Sequence, residues 1–274
     1  MYKLVFCDLD GTTVPMDGTV RPRVTQAMRD AAKAGAYITV ATGRSFPAVR
    51  EHLENREIVA NAPLVCCNGS VVIDPQAGQV LQVTYMDLSL AHDLMRQALA
   101  EQWEVGLTLG DMETFLENRT DRRCFLVRNN GSILRETQDP FSELTTPPLT
   151  FVISPPTEAE TPLMVERVQR FMGSRAKALA AGPRWVDIVM PGVSKANAAA
   201  SVAERLGVRQ DETIAIGDGD NDLEILRWAG LGIVMGNGTP RAKAAADWIA
   251  PPIEDDGVAV ALQRFILGPR AQHR

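Results

Sequence analysis

Residues 2–14 read YKLVFCDLDGTTV, an apolar run that ends in two aspartates and a Gly-Thr-Thr turn. Lys3 to Cys7 has the pattern of a buried strand, and it carries Asp8 and Asp10 to one end of that strand. Two like charges this close repel each other, so a cation or a shared proton has to compensate them. The stretch therefore predicts a strand whose carboxyl end carries two carboxylates that form part of a functional site.

At both ends of the chain, short apolar runs alternate with helical patterns. Strand-like runs cover residues 3–7, 37–41, 64–67, 213–216 and 231–235, and helical patterns such as 194–206 and 221–229 lie between or after them. Ser45 stands where it could cap a helix with Pro47 in its first turn. This alternation predicts an α/β fold with a Rossmann-like, mostly parallel sheet covered on both faces.

The middle of the chain has a different pattern. Helical patterns at 89–102 and 163–180 are separated by strand-like runs at 105–109 and 124–128 and by proline pairs such as Pro155-Pro156. We interpret this part as an α+β domain inserted into the α/β one. The predicted division is 1–84 for the first core segment, 85–190 for the insertion and 191–274 for the second core segment.

The composition and charge of the chain argue against several classes of protein. The chain has 274 residues, 45% of them hydrophobic, and a formal charge of −6. This charge argues against nucleic acid or an anionic membrane as the main partner. No apolar run is long enough to cross a bilayer, and none near the N-terminus resembles a signal-peptide core. The four cysteines lack C-x-x-C spacing, as expected of reduced, buried thiols, so a cytoplasmic protein is predicted.

Polar residues follow the predicted strands where ligands of parallel sheets bind. Asp8 and Asp10 follow the first strand, Thr42-Gly43 the second and GDGDND (217–222) a later one, while Lys195 opens a helix. Clustered carboxylates without His or Cys suit a hard cation such as Mg²⁺, which would allow Asp8 and Asp10 to stay together. A lysine and helix-start amides suit a phosphate. Together they indicate phosphoryl transfer.

Four motifs in this order resemble those of the haloacid dehalogenase (HAD) superfamily of phosphatases. They are DLDGTT (8–13), TGR (42–44), Lys195 before a helix, and GDGDND (217–222). CCNGS (66–70), PGVSKANA (191–198) and the stretch from 235 to 259 resemble its Cof-type branch, so the insertion would be a C2-type cap. Thr13-Val14 and Leu223-Glu224-Ile225 depart from the usual leucine and methionine of the pattern.

The resemblance implies a role for each matching residue. Asp8 would be the nucleophile that forms an aspartyl-phosphate, and Asp10 the general acid and then the base. Magnesium would be held by the Asp8 side chain, the Asp10 carbonyl and Asp218, with Asp222 supporting the metal shell. The remaining residues would bind the phosphate: Leu9, Thr42, Gly43, Lys195 and Asn221.

Three functions remain open at this point. The leading hypothesis is a Mg²⁺-dependent phosphomonoesterase for small phosphorylated metabolites, either sugar phosphates or phosphorylated cofactors. A sugar phosphomutase and a non-catalytic phosphate or metal sensor are the alternatives. The sequence predicts neither the substrate nor the oligomeric state. Arg119, Arg122 and Arg123 are interpreted as a solvated basic face, and Trp103 and Trp185 as packing residues of the insertion.

Overall fold

The computed structural model describes residues 1–15, 17–118, 132–182 and 184–268. The arginines at 119, 122 and 123, the run 124–128 and Cys124 lie outside these residues, so the expectations about them stay predictions.

The strands are β1 (Leu4–Cys7), β2 (Tyr37–Val40), β3 (Leu64–Cys66), β4 (Val71–Asp74), β5 (Gln79–Val83), β6 (Glu104–Thr108), β7 (Thr114–Asn118), β8 (Ile133–Thr137), β9 (Thr150–Ser154), β10 (Lys177–Ala180), β11 (Val186–Val189), β12 (Thr213–Gly217), β13 (Leu231–Val234) and β14 (Trp248–Ile249). The α-helices are α1 (Pro22–Lys33), α2 (Phe46–Glu54), α3 (Leu88–Ala100), α4 (Pro140–Glu143), α5 (Thr161–Met172), α6 (Lys195–Arg205), α7 (Leu223–Trp228), α8 (Pro240–Ala245) and α9 (Gly257–Leu262).

The core sheet is parallel throughout, in the order β14-β13-β12-β1-β2. Alternate residues of β1 enter two different apolar clusters, with Val5 and Cys7 on one face and Leu4 and Phe6 on the other. Such burial on both faces explains why β1 is apolar without alternation. Because Cys7 pairs with both Val40 and Ile216, the carboxyl ends of β1, β2 and β12 lie side by side.

The third predicted strand belongs to a separate sheet. β3 joins β4 and β5 in an antiparallel sheet, and a single parallel bridge between Ala41 and Val65 links it to the end of β2. The connection from β3 to β4 is a tight turn in which Cys67 and Asn68 both have a φ of 52°. An asparagine tolerates this left-handed conformation better than most residues.

A six-stranded sheet, in the order β10-β11-β9-β6-β7-β8, forms the cap. It is antiparallel except for the pair β7 and β8, and residues of α3 and α5 share an apolar cluster with one of its faces. The predicted helix 163–180 is wrong at its C-terminal end. α5 stops at Met172 because Gly173 takes a φ of 61°, and residues 177–180 form strand β10.

The predicted fold class, a Rossmann-like parallel core with an inserted α+β cap, is confirmed. The domain limits at 84/85 and 190/191 stay a prediction. Within the described ranges, no helix is both long and apolar enough to cross a membrane. Cys7, Cys66 and Cys67 are buried free thiols, as predicted.

Candidate active site

Lys195 and two aspartates form a buried ionic centre at the carboxyl end of the core sheet. The Lys195 ammonium donates hydrogen bonds to Asp8 Oδ1 and Asp222 Oδ1, each at 2.6 Å. Lys195 is only 1% exposed, although it is the first residue of α6. The Ser194 hydroxyl caps that helix by accepting a hydrogen bond from the Asn197 amide, which fixes where α6 begins.

The pKa values of Lys195 and Asp8 are both shifted, because several charged side chains lie close together in a buried place. Burial alone would lower the pKa of Lys195, but Asp222 and Asp8 outweigh it and raise that pKa above its usual range. Burial raises the pKa of Asp8 well above normal, against the opposing effect of Lys195 and with help from the other aspartates. Two carboxylates share one ammonium here, so negative charge is left over that a cation would neutralise.

Asp218 adds a third carboxylate beside this centre. Burial and the carboxylates of Asp222 and Asp10 raise the pKa of Asp218 to about 7, even though the Thr12 hydroxyl donates a 2.7 Å hydrogen bond to its Oδ1. Gly11 makes this approach possible, because a Cβ there would lie 2.5 Å from Asp218 Oδ2. Its φ of 79° is also one that glycine adopts without strain.

Asp222 organises the loop after β12. Its Oδ2 accepts hydrogen bonds from the backbone amides of Asp218 and Gly219, both at 3.0 Å, while its Oδ1 accepts from Lys195. A Cβ at Gly217 would lie 2.5 Å from the Asp222 carboxyl carbon, so this glycine lets the side chain fold back. These contacts fit the supporting position predicted for Asp222.

The carboxylates of Asp8, Asp218 and Asp222 could hold a metal ion. One oxygen of each lies within 4.8 Å of the others, and this set is the one found among the described residues. An all-oxygen donor set and the raised pKa values of Asp8 and Asp218 fit a hard divalent cation. The Asp10 side chain is not part of this set, and the metal ligand predicted from this residue is its backbone carbonyl, not its carboxylate.

The Asp10 carboxylate binds Arg44 instead. Arg44 Nη2 lies 2.6 Å from Asp10 Oδ1, and Nε lies 3.1 Å from Oδ2. On its other side, Arg44 Nη1 lies 3.1 Å from His52 Nε2, and His52 Nδ1 lies 2.5 Å from Glu57 Oε2. This row of four polar side chains links the candidate acid to the end of α2. The TGR motif contains Arg44 but carries no prediction for its side chain, and no sequence pattern marks His52.

The predicted phosphate-binding residues surround the same edge. Thr42 is fully buried and its hydroxyl accepts a 3.1 Å hydrogen bond from the Arg44 amide, while Gly43 and Asn221 line the open space beside Asp8. The Leu9 side chain is buried in the core, so only its backbone could face a phosphate. Ser45 precedes α2 as predicted, but its hydroxyl makes no capping bond and lies 3.1 Å from Ser132 Oγ.

A bridge between the core and the cap was not predicted. Asn68 Nδ2 donates to Oδ2 of Asp187, a buried residue of β11, at 2.5 Å. Asn68 Oδ1 accepts from Asn221 Nδ2 at 3.2 Å. The motif CCNGS contains Asn68, but Asp187 stands in a strand-like run without a sequence signal. The cap is thereby tied to a candidate phosphate ligand.

A cavity of about 490 Å³ lies over these residues. Asp8, Asp10 and Asp218 line it from the core, and Trp185 and Gly182 line it from the turn between β10 and β11. Trp185 packs with Phe115 and Val152 inside the cap, as predicted, and in addition lines this cavity, which was not predicted. Trp103 packs in the apolar cluster of the cap, as predicted.

Several relatives match nearly the whole chain. A 5-amino-6-(5-phospho-D-ribitylamino)uracil phosphatase of Bacillus subtilis is 26% identical, with 97% of this chain and 96% of that protein covered. A pyridoxal phosphate phosphatase of Escherichia coli is 28% identical, with 94% and 96% covered. An endoribonuclease YBEY of Arabidopsis thaliana is 26% identical, but the chain, 96% covered, spans only 46% of that longer protein.

Solved structures share the fold. A haloacid dehalogenase-like hydrolase from B. subtilis superposes with a TM-score of 0.86 at 21% identity, over 96% of this chain and 99% of that one. A HAD subclass IIB sugar phosphatase gives a TM-score of 0.82 at 21% identity, over 96% and 98%. A family model described as haloacid dehalogenase-like hydrolase matches residues 5–262, which includes both core segments and the cap. The chain belongs to this family of HAD-like hydrolases, and its resemblance to Cof-type phosphatases is confirmed.

Proposed function

We propose that the chain is a Mg²⁺-dependent phosphomonoesterase that hydrolyses small phosphorylated metabolites through a phosphorylated Asp8. The observation that carries this proposal is the Asp8 carboxylate held 2.6 Å from the Lys195 ammonium, with Asp218 and Asp222 close by, in a cavity open to a small ligand. A nucleophile, a fixed positive charge and surplus carboxylates are the parts that phosphoryl transfer needs.

The first chemical step breaks the ester bond. A carboxylate oxygen of Asp8 attacks phosphorus, the bond from phosphorus to the ester oxygen breaks, and Asp10 supplies the proton with which the alcohol leaves. Lys195 balances charge that builds up on the phosphoryl oxygens, because it is already fixed within 2.6 Å of the nucleophile. Thr42, Gly43, the Leu9 amide and Asn221 would hold the phosphoryl group in place.

The second step returns Asp8 to its starting state. Asp10 takes a proton from water, the water oxygen attacks phosphorus, and the acyl-phosphate bond to Asp8 breaks to release inorganic phosphate. Asp8, Asp218 and the Asp10 carbonyl would hold Mg²⁺, with Asp222 fixing the loop behind them. When bound, the cation neutralises phosphate charge and orients the transferred group for in-line attack.

The relatives support a small substrate. The names of two near full-length relatives specify phosphate esters of a ribitylaminouracil and of pyridoxal. Sugar phosphates and phosphorylated cofactors are accordingly the substrates to test first. The position of the site, in a cavity lined by both the core and the cap, favours such molecules over macromolecular partners.

The test is a screen of phosphorylated metabolites for release of inorganic phosphate in the presence of Mg²⁺, with Asp8→Asn as the control. The variant should lose turnover by about 10³-fold or more while it stays folded, because an amide is not a nucleophile here but can still accept the Lys195 hydrogen bond. Release of an isomeric phosphate ester without free phosphate would indicate a mutase instead. Phosphate binding without turnover of any ester would indicate a sensor.

A further inference from the structure

The turn between β10 and β11 brings an indole ring to the catalytic cavity. The Ala181 amide donates to the Trp185 carbonyl at 2.9 Å, so the turn closes on itself and points its residues at the core. Ala181, Gly182 and Trp185 are the residues through which the described part of the cap lines the cavity. They face Asp8 and Asp10 across a space of about 490 Å³.

The indole is held in a fixed position. Trp185 is 8% exposed and packs in a cluster with Phe115 and Val152 of the cap sheet. Gly182 lies directly against it, since a Cβ at that position would be 2.6 Å from the six-membered ring of the indole. A ring that is already immobilised loses little conformational entropy when a ligand packs on it.

Among the described residues, the cap turn offers few groups to hydroxyls. The residues of the cap turn that line the cavity carry no hydrogen-bonding side chain except the indole N–H. On the core side, both ends of the Asn237 amide already bond within the protein, to the Gly11 carbonyl and the Ile253 amide. A hydroxyl placed against this cap turn is left unsatisfied, which is costly, whereas a flat ring needs only apolar contact there; the charged lining residues, such as Asp17 and Arg21, belong to the core side.

Two further apolar residues extend the surface. Pro15 and Ile253 line the same cavity, and Arg21, which also lines it, is held by the Glu254 carbonyl at 2.6 Å. The volume is that of a pocket for a drug-sized or cofactor-sized ligand. An aromatic leaving group therefore has apolar contacts from both the cap turn and the core, and the Arg21 cation lines the same cavity.

We propose that Trp185 is a specificity-determining residue that selects phosphate esters whose alcohol carries a flat aromatic ring over esters of sugars and other polyols. The inference rests on the proposed phosphatase activity and goes beyond it by naming the substrate class. Binding places the ester at Asp8 with its ring against the indole. Stacking then contributes to the specificity constant for ring esters and little to that for polyols.

The experiment compares kcat/KM for benzyl phosphate and ribose 5-phosphate, both of which release a primary alcohol. The wild-type protein should favour benzyl phosphate, and Trp185→Leu should lower the ratio of the two constants by about tenfold or more. Trp103→Leu is the matched control, because Trp103 is an equally buried tryptophan of the cap that does not line the cavity. It should leave the ratio unchanged.

The outcomes separate this inference from the activity on which it rests. An unchanged ratio in Trp185→Leu, or a wild-type preference for ribose 5-phosphate, overturns the inference while leaving the phosphatase in place. An equal change in Trp103→Leu also overturns it, since the effect would then come from a loosened cap. Failure to release phosphate from any ester overturns the proposed function and the inference together.

Discussion

The guanidinium of Arg44 holds the carboxylate of Asp10 through two nitrogens, with Nη2 2.6 Å from Oδ1 and Nε 3.1 Å from Oδ2. Arg44 is buried, whereas the Asp10 side chain is 29% exposed toward the cavity. The pair orients the candidate acid and base before any substrate binds. It also means that Asp10 has to exchange part of this contact for the leaving oxygen when it acts as an acid.

Arg44→Lys should lower kcat by about tenfold, with a smaller change in KM. Lysine keeps the positive charge but lacks the planar pair of donors, so Asp10 loses its fixed orientation. Steady-state kinetics on one ester, compared with Arg209→Lys, measures the effect. Arg209 makes a comparable pair with Asp211 at the surface, far from any catalytic role. An undiminished kcat in Arg44→Lys would show that the contact does not position Asp10.

Lys195→Met should destabilise the fold as well as remove activity. It leaves the buried carboxylates of Asp8 and Asp222 without their ammonium, and loss of one partner of a buried pair costs about 3–5 kcal/mol. Lys177→Met is the control, since its pair with Glu224 is half exposed and should contribute about 0–1 kcal/mol. Urea unfolding of both variants measures the difference. Equal losses would mean that the buried centre contributes nothing special to stability.

Mg²⁺ should stabilise the protein more at high pH than at low pH. The pKa of Asp218 is raised to about 7, so the folded chain without an ion keeps protons that the unfolded chain has lost. Its free energy of unfolding therefore falls as the pH rises from about 4 to about 7, as these protons leave. A bound cation neutralises the negative charge that Asp218 gains when it loses its proton. The Tm difference between Mg²⁺ and a chelator should therefore grow from about pH 5 to about pH 8. A difference independent of pH would contradict the proposed ligands.

The core and its motifs could be predicted because both depend on local pattern. Apolar runs followed by Asp8, Thr42 and Asp218 mark strand ends, and parallel topology brings strand ends together. The contacts of Arg44 could not be predicted, since they join Asp10 to His52 across 42 residues of chain. The end of α5 was missed because the helical pattern continues past Gly173, where a positive φ ends the helix.

The side chains that the cap contributes to the site are the hardest to predict from sequence patterns. Asp187 and Trp185 stand in an ordinary strand-like run, and only the six-stranded sheet aims them at the core. Asn68, the partner of Asp187, and Asp8, which lines the cavity together with Trp185, are both more than one hundred residues away along the chain. Side chains that lie at an interface between two domains depend on how the domains are placed. No local periodicity reports that placement.

Asp10→Asn should separate acid–base catalysis from a structural role. The amide oxygen can still accept from Arg44, so the orientation is largely kept, but the proton is lost. A general acid helps a poor leaving group most, so phosphorylation of Asp8 by an alkyl ester should slow by about 10²–10⁴-fold. With p-nitrophenyl phosphate, whose leaving group departs nearly unaided, the same step should slow by less than about tenfold. Single-turnover rates for both esters measure this.

The second half of the cycle gives an independent readout of the same variant. Water loses its base, so the phosphorylated Asp8 should accumulate with the aryl ester, and acid quenching followed by mass spectrometry would detect it. The wild-type protein, with Asp10 intact, should show much less. If both esters lose the same proportion of their phosphorylation rate and no phosphorylated protein builds up, the Asp10 side chain has only a structural role. The acid–base role would then pass to another group in the cavity.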